Sequence, residues 1–216
     1  MKKVLVIAPH PDDEVLGCGG VIKKYAKAGD QIFLVIVTEP YTPDWTEKYI
    51  KDKLIEIKKA NLVLGIKKSY FLELPTVKLN TIPQKELNDK IGGVIKAVDP
   101  DILYIPYIGD LNKDHGLVFE ACLVAARPYG NRIKRILAYE TFSGGTFGTK
   151  QFTPNAYADI LQTLGDKLKA MACYKSELRN YPHPRSLEGI TVSAKKRGTE
   201  SGLNAAEAFM IIREII

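Results

Sequence analysis

The sequence is poor in cysteine and contains no long apolar run. Its cysteines are Cys18, Cys122 and Cys173, an odd number without a Cys-x-x-Cys pair, which predicts neither a disulfide framework nor a thiolate zinc site. Each is expected to be a small buried hydrophobe. No apolar stretch approaches the roughly 20 residues of a membrane-spanning helix, and the run after Met1 is too short for a signal-peptide core. We therefore expect a cytoplasmic protein without a transmembrane segment.

Positive charge is in excess, but it is not gathered into a nucleic-acid motif. The formal net charge is +6. Lysines and acids alternate along residues 46–64, as on a solvated helix face. These residues are Lys51, Lys53, Lys58 and Lys59 with Glu47, Asp52 and Glu56. We expect no nucleic-acid partner, although a phosphorylated or nucleotide-linked small substrate would fit the charge as well.

The composition and the pattern of apolar runs predict one α/β domain. The chain has 216 residues, of which 45% are hydrophobic and 26% charged, so we expect a single globular domain over residues 1–216. Continuous apolar strands alternate with helical segments, which predicts a Rossmann-like, doubly wound, mostly parallel sheet with helices on both faces. In the common strand order 3-2-1-4-5, strands 1 and 4 are neighbours.

The individual elements follow from periodicity and from Gly and Pro stops. Strands are predicted over residues 4–8, 32–37, 70–74, 102–105 and 133–139. Helices are predicted over residues 13–28, 46–64, 82–98, 115–126 and 156–178. Residues 205–216 are ambiguous, with strand favoured over helix, and the Gly-rich segment 142–148 is interpreted as a linker or lid.

An acidic turn follows the first strand. His10, Asp12, Asp13 and Glu14 lie there, where α/β proteins place their sites, and an imidazole with a carboxylate suits Zn²⁺ or a similar ion. The alternative is that the acids only complement the dipole of the following helix. A second cluster, residues 110–115, follows strand 4 and favours a shared site.

The two clusters suggest a hydrolytic metal centre. If His10, Asp13 and His115 hold the ion, three protein ligands leave a fourth position for water, which is the arrangement of a catalytic zinc. Asp12 is the candidate base that takes a proton from this activated water. An amide or an ester would be the target.

The same residues resemble a known family, the zinc-dependent sugar de-N-acetylases of the LmbE and PIG-L type. The resemblance rests on His10-Pro11-Asp12-Asp13-Glu14, Leu16-Gly17, Gly19-Gly20 and Asp114-His115, with weaker matches at Glu56, Ala60, Leu64-Gly65 and Ala206-Glu207-Ala208-Phe209. It implies that His10, Asp13 and His115 are metal ligands and Asp12 the general base. It also implies removal of an acetyl group from an N-acetylglucosamine conjugate.

The second motif departs from the family pattern His-x-Asp-His, because Asn112 stands at its first position. Asn112 can donate a hydrogen bond to an oxyanion, but it cannot deliver a proton at neutral pH. We therefore expect His183, in a Pro-bounded loop, to protonate the leaving amine. The alternative is that His183 is an ordinary surface-loop histidine.

Further residues are candidates for substrate contact or support. Lys53 stands where relatives often carry a substrate-gripping arginine, and the alternative is a solvated helix lysine. The resemblance gives Asp114 the role of supporting its neighbours by hydrogen bonds, and the alternative is a solvated loop acid. The loop residues expected at the mouth of the crevice are Thr38, Glu39, Trp45 and Arg185.

The sequence thus predicts a zinc-dependent hydrolase that removes an N-acetyl group from a small amino-sugar conjugate. Two alternatives stay open: a metal-dependent hydrolase of another amide or ester, and a nucleotide-binding module without turnover. The second would bind no metal, and the missing G-x-G-x-x-G run counts against it. The same ligands accept Fe²⁺, Co²⁺ or Mn²⁺. The aglycone and the oligomeric state, a homo-oligomer included, stay open.

Overall fold

The computed structural model describes residues 1–142 and 150–216, which form seven strands and six α-helices. The strands are β1 (Lys3–Ala8), β2 (Gln31–Glu39), β3 (Lys68–Pro75), β4 (Ile102–Pro106), β5 (Arg135–Tyr139), β6 (Ala156–Asp159) and β7 (Ala206–Glu214). The helices are α1 (Asp13–Lys27), α2 (Glu47–Leu64), α3 (Gln84–Val98), α4 (Lys113–Ala125), α5 (Leu164–Met171) and α6 (Leu187–Ser201). None of these helices has the length and apolarity to cross a bilayer.

All seven strands join one sheet in the order β3-β2-β1-β4-β5-β7-β6. The first five are parallel, in the order predicted from the sequence, and β7 and β6 extend the sheet antiparallel beyond β5. Because β1 and β4 are direct neighbours, the loops after their carboxyl ends lie side by side. The mostly parallel α/β class is confirmed.

Apolar cores on both faces explain why the central strands are continuous apolar runs. Along β1, Val4 and Val6 face one core, which contains residues of α1, α2, α5 and α6. Leu5 and Ile7 face the other core, formed with α3 and α4. A strand buried on both sides cannot alternate with polar residues, so the predicted helices on both faces are confirmed. That residues 1–216 form one domain stays a prediction.

The predicted helix over residues 156–178 is wrong. Ala156–Asp159 pairs with β7 as an edge strand, and the helix itself covers only Leu164–Met171. Beyond it, the Tyr174 hydroxyl and the Ser176 amide bond to carboxylates of other elements, which draws the chain out of helical conformation. These long-range contacts are invisible to sequence periodicity.

Other predictions have mixed outcomes. Residues 205–216 do contain a strand, β7, whereas helix α6 was not predicted. Cys18 and Cys122 are buried as expected, but Cys173 is only half-buried. Apart from Phe142, the segment predicted as a linker or lid lies outside the described residues.

Candidate active site

The turn between β1 and α1 places Asp12 in an unusual conformation. Asp12 occupies the N-cap position of α1 with φ 105°, in the left-handed region, and its side chain does not cap the helix. Its backbone N–H donates instead to Glu14 Oε2 at 3.1 Å. The carboxylate is therefore free to face away from the helix, which argues against a mere first-turn acid.

Close packing of α1 against the sheet explains the glycines that follow. A Cβ atom on Gly17 would lie 2.1 Å from Cδ2 of Tyr139, and one on Gly20 would lie 2.5 Å from Cγ2 of Ile160. The Tyr139 hydroxyl donates to the carbonyl oxygen of Ile7 at 2.8 Å, directly before the acidic turn. The glycines on α1 thus allow Tyr139 and Ile160 to pack closely against the helix that follows the acidic turn.

His10, Asp13 and His115 bring three ligand atoms to one centre. His10 Nδ1 lies 3.2 Å from His115 Nε2, and Asp13 Oδ2 lies 3.3 Å from each of these nitrogens. Ligands about 2.0–2.1 Å from a tetrahedral zinc would be about 3.3–3.4 Å apart. The donor types and their spacing therefore fit a divalent ion with an open position.

A carboxylate lies behind each histidine. His10 Nε2 is 3.0 Å from Asp114 Oδ2, and His115 Nδ1 is 3.3 Å from Asp110 Oδ2. Thr141 Oγ1 donates to Asp110 Oδ2 at 2.6 Å. When these nitrogens donate to the carboxylates, the other nitrogen of each ring presents its lone pair to the centre, as in many metal sites. Asp114 lies where a supporting acid was predicted.

The electrostatics of this cluster favour a cation at its centre. Burial alone would lower the pKa of His10, but hydrogen bonds with Asp114 and Asp13 outweigh it and raise the pKa to about 10. Burial would raise the pKa of Asp13, yet His115 and His10 hold it well below its usual range. The ring of carboxylates thus stabilises positive charge, which a divalent metal would supply.

Asp12 has an unpartnered oxygen at the floor of the cavity. The residue is 1% exposed, and its Oδ2 atom has no hydrogen-bond partner. Arg185 Nε, which also lacks a partner, lies 3.4 Å from this oxygen. Burial raises the pKa of Asp12 well above its ordinary value, although the charge of Arg185 opposes the shift. The carboxyl is thus placed to exchange a proton with a bound molecule.

A cavity of about 420 Å³ opens above these residues. This volume lies within the usual range for small-molecule sites. The predicted residues in its walls are His10, Asp12, Thr38, Trp45, Lys53, Asn112 and Arg185. Asn112 Oδ1 accepts the backbone N–H of Asp114 at 3.1 Å and so caps α4, which leaves its NH₂ group as the available donor.

Of the eight residues predicted for catalysis or substrate contact, Glu39 and His183 do not line this cavity. Glu39 is exposed and lines a smaller cavity beside Phe71 and Glu73. His183 is also exposed, and its Nδ1 accepts the backbone N–H of Arg185 at 3.0 Å. Neither residue is part of the walls of the larger cavity, and a role for Glu39 or His183 in the reaction stays a prediction.

Lys53 is not the solvated lysine that its charged surroundings suggested. Its side chain is 4% exposed, and Nζ donates to Glu177 Oε1 at 2.6 Å and to Ser176 Oγ at 2.5 Å. Burial opposes its charge, but Glu177 outweighs this effect and raises the pKa of Lys53. Its ammonium is therefore already engaged within the protein.

The sequence predicted no individual role for three acids of the site. Asp110 opens the predicted second cluster after β4, but its contact with His115 was not predicted. Glu14 belongs to the first motif, but its contact with the Tyr174 hydroxyl at 2.6 Å is long-range. Glu177 lies in a segment predicted as helix and carried no signal.

Comparisons with known proteins agree with this geometry. The family described as PIG-L, GlcNAc-PI de-N-acetylase, matches residues 5–126. The diacetylchitobiose deacetylase of Thermococcus kodakarensis is 30% identical over 190 residues, which cover 82% of this chain and 70% of that protein.

Solved structures share the fold at lower identity. The N,N'-diacetylchitobiose deacetylase of Pyrococcus horikoshii has a TM-score of 0.80 at 24% identity, over 98% of this chain and 84% of that one. The 4-carboxy-2-hydroxymuconate hydratase GalB of Pseudomonas putida KT2440 has a TM-score of 0.81 at 19% identity, over 100% of this chain and 98% of that one. Because these two names denote different reactions, the fold alone does not choose the chemistry.

The fold, the site of two histidines and one aspartate, and the deacetylase relatives define the chain as a hydrolase of the deacetylase type. The chain belongs to the PIG-L family of de-N-acetylases, which the sequence motifs predicted.

Proposed function

We propose that this protein is a zinc-dependent hydrolase that removes the N-acetyl group from a small N-acetylglucosamine conjugate. The observation that carries the proposal is the cluster of His10 Nδ1, Asp13 Oδ2 and His115 Nε2, together with the unpartnered Oδ2 of Asp12, a residue that lines the same cavity as His10. A metal held by the three ligands would polarise the amide carbonyl and lower the pKa of a bound water.

The residues of the chain perform the proton transfers. Asp12 Oδ2 takes a proton from the attacking water, whose oxygen bonds to the carbonyl carbon. The Asn112 NH₂ group donates a hydrogen bond to the oxygen that becomes negative. Asp12 then returns the proton to the amide nitrogen as the C–N bond breaks. The products are acetate and the free amine, and no proton from His183 is needed.

The cavity walls supply the substrate contacts in this proposal. The Trp45 ring offers an apolar face for a sugar ring. The Thr38 hydroxyl already donates to the Pro9 carbonyl oxygen at 2.8 Å. The free Nε of Arg185 would donate to a substrate hydroxyl. Relatives named for diacetylchitobiose make a short N-acetylated oligosaccharide the first substrate to test.

Acetate release tests the proposal. Purified protein is incubated with N-acetylglucosamine, N,N'-diacetylchitobiose and matched N-formyl, N-propionyl and ester substrates, and products are followed by proton NMR. We expect acetate and free amine from the N-acetyl sugars. Faster release from another acyl group or from an ester would favour the broader hydrolase alternative.

Metal analysis tests the cofactor separately. Elemental analysis should find one divalent ion per chain, and chelation should abolish turnover. Reconstitution with Zn²⁺, Fe²⁺, Co²⁺ or Mn²⁺ then identifies the working metal, because the ligand set accepts all four. Protein that binds none of them would refute the proposal and revive the nucleotide-binding alternative.

A further inference from the structure

An unbroken series of charged side chains runs through one wall of the cavity, and Glu177 lies at its centre. Glu177 Oε1 accepts from Lys53 Nζ at 2.6 Å and from the Tyr49 hydroxyl at 2.8 Å. Its other oxygen, Oε2, accepts from Arg185 NH1 at 2.9 Å. One carboxylate thus connects α2 with the loop that carries Arg185.

The two cations in this wall differ in what they have left to donate. The Lys53 ammonium donates to Glu177 and Ser176. Its Nζ also lies 3.5 Å from Glu56 Oε2. Arg185 uses NH1 on Glu177, but its Nε is buried without a hydrogen-bond partner. Arg185 therefore holds the donor available to a substrate, and Lys53 does not.

Arg185 lies between Glu177 and Asp12. Arg185 Nε lies 3.4 Å from Asp12 Oδ2, and neither atom has another partner. A group that both donates and accepts, such as a sugar hydroxyl, would satisfy both atoms at once. Apart from this ion pair with Asp12, the contact at NH1 with Glu177 is the side-chain hydrogen bond that holds the guanidinium among the described residues.

We propose that Glu177 is a positioning residue: it holds the Arg185 guanidinium beside Asp12, and Lys53 in turn holds Glu177. The proposal rests on the function proposed above. In this proposal Lys53, which stands where relatives often carry an arginine, supports Glu177 and does not bind the substrate. Arg185 is the cation that contacts the substrate.

The competing explanation is that Glu177 only fastens the loop to α2. Glu56 offers a matched control because it also joins α2 to this loop and lies 3.5 Å from Lys53 Nζ, but it does not contact Arg185. Its carboxylate accepts the Ser176 N–H at 2.9 Å and the Ser176 hydroxyl at 2.7 Å, and it does not line the cavity.

Steady-state kinetics of matched variants separate the two explanations. The set is Glu177→Gln, Glu56→Gln, Arg185→Lys and the Glu177→Gln/Arg185→Lys double variant, each checked for folding by thermal unfolding. We expect Glu177→Gln to lower kcat/KM about tenfold to a hundredfold, the range of a lost charged hydrogen bond. Glu56→Gln should stay within about threefold of wild type.

Non-additivity provides the decisive comparison. If Glu177 acts through Arg185, Glu177→Gln should change kcat/KM less than about threefold in the Arg185→Lys background. Equal losses in Glu177→Gln and Glu56→Gln, or fully additive losses in the double variant, would overturn the proposal. If Glu177→Gln does not fold, Glu177→Asp replaces it, since a carboxylate one methylene shorter keeps the charge but not the reach.

A structural measurement keeps this proposal separate from the proposed function. Wild-type protein that releases no acetate from any sugar would refute the function alone. Crystal structures of wild type and Glu177→Gln then test positioning directly. An Arg185 guanidinium that leaves Asp12 in the variant supports the proposal, and one that stays in place overturns it.

Discussion

Replacing Asp12 by asparagine tests the central chemical assignment with little disturbance of the fold. The two side chains are nearly isosteric, and asparagine tolerates the left-handed backbone conformation that Asp12 adopts at φ 105°. Alanine would remove the carboxylate as well, but it would add backbone strain of about 1–2 kcal/mol. Asp12→Asn therefore separates chemistry from conformation.

The expected loss follows from the role of the carboxylate. A positioned general base contributes about 10²–10⁴-fold to rate, so kcat should fall by this factor, or by about 3–5 kcal/mol of transition-state stabilisation. Metal content should not change, because the three clustered ligand atoms belong to His10, Asp13 and His115. Thermal stability should change little, since the variant removes the cost of a buried carboxylate oxygen without a hydrogen-bond partner but also its ion pair with Arg185.

The assay combines acetate release with elemental analysis of the same protein batch. Asp89→Asn, an equivalent change on the exposed face of α3, controls for the loss of one acid. An Asp12→Asn protein with kcat within about threefold of wild type would refute the general-base role, given the usual size of that effect. Loss of the metal in this variant would instead make Asp12 a ligand.

Three further predictions concern the surroundings of the site. Asp110→Asn should weaken metal affinity about 10–100-fold, because the Asp110 carboxylate beside His115 Nδ1 orients that ring. Competition with a fluorescent chelator measures the affinity, and an unchanged affinity would contradict this prediction. Trp45→Ala should raise KM several-fold to about tenfold with kcat nearly constant, since only stacking on the sugar is lost; a fall in kcat alone would refute this role. Burial opposes the charge of Glu177, but Lys53 holds its pKa below the usual 4.5, so its contribution to stability is present above that pH and lost as pH falls through the folded-state pKa. The gap in urea midpoint between wild type and Glu177→Gln should therefore shrink from pH 7 to pH 3, and a constant gap would contradict the assignment.

The metal cluster was predictable because its residues lie in two short segments, each directly after a strand. Parallel strands end at the same edge of a sheet, so the neighbours β1 and β4 bring His10, Asp13 and His115 together from topology alone. The apolar runs of β1, β2 and β4 and the strand order 3-2-1-4-5 followed from the same regular pattern. Regular structure is what sequence periodicity can report.

The cavity wall could not be predicted in the same way. Ser176 and Glu177 lie in a segment with helical periodicity, yet their contacts are with Glu56 and Lys53 on α2, more than a hundred residues earlier. Local preference predicted a helix to residue 178, and buried polar contacts across the chain outweighed it. His183 was predicted from residue type alone; its side chain is exposed and its Nδ1 accepts the backbone N–H of Arg185, so its role as proton donor stays a prediction.

The departures from the family pattern are linked through charge and hydrogen bonding. A lysine at position 53 is a compact cation that fits within about 6 Å of the Tyr49 and Tyr174 ring centres, at 5.0 and 5.8 Å, while it contacts Glu177. The second oxygen of Glu177 is then available to Arg185, whose planar guanidinium can bond the carboxylate at NH1 and still present Nε to the cavity. Asn112 can donate a hydrogen bond but cannot transfer a proton at neutral pH. In the described cavity walls, the histidine beside Asp12 is the proposed ligand His10. Asp12, next to the free donor of Arg185, is consequently the group best placed to carry the proton in both directions.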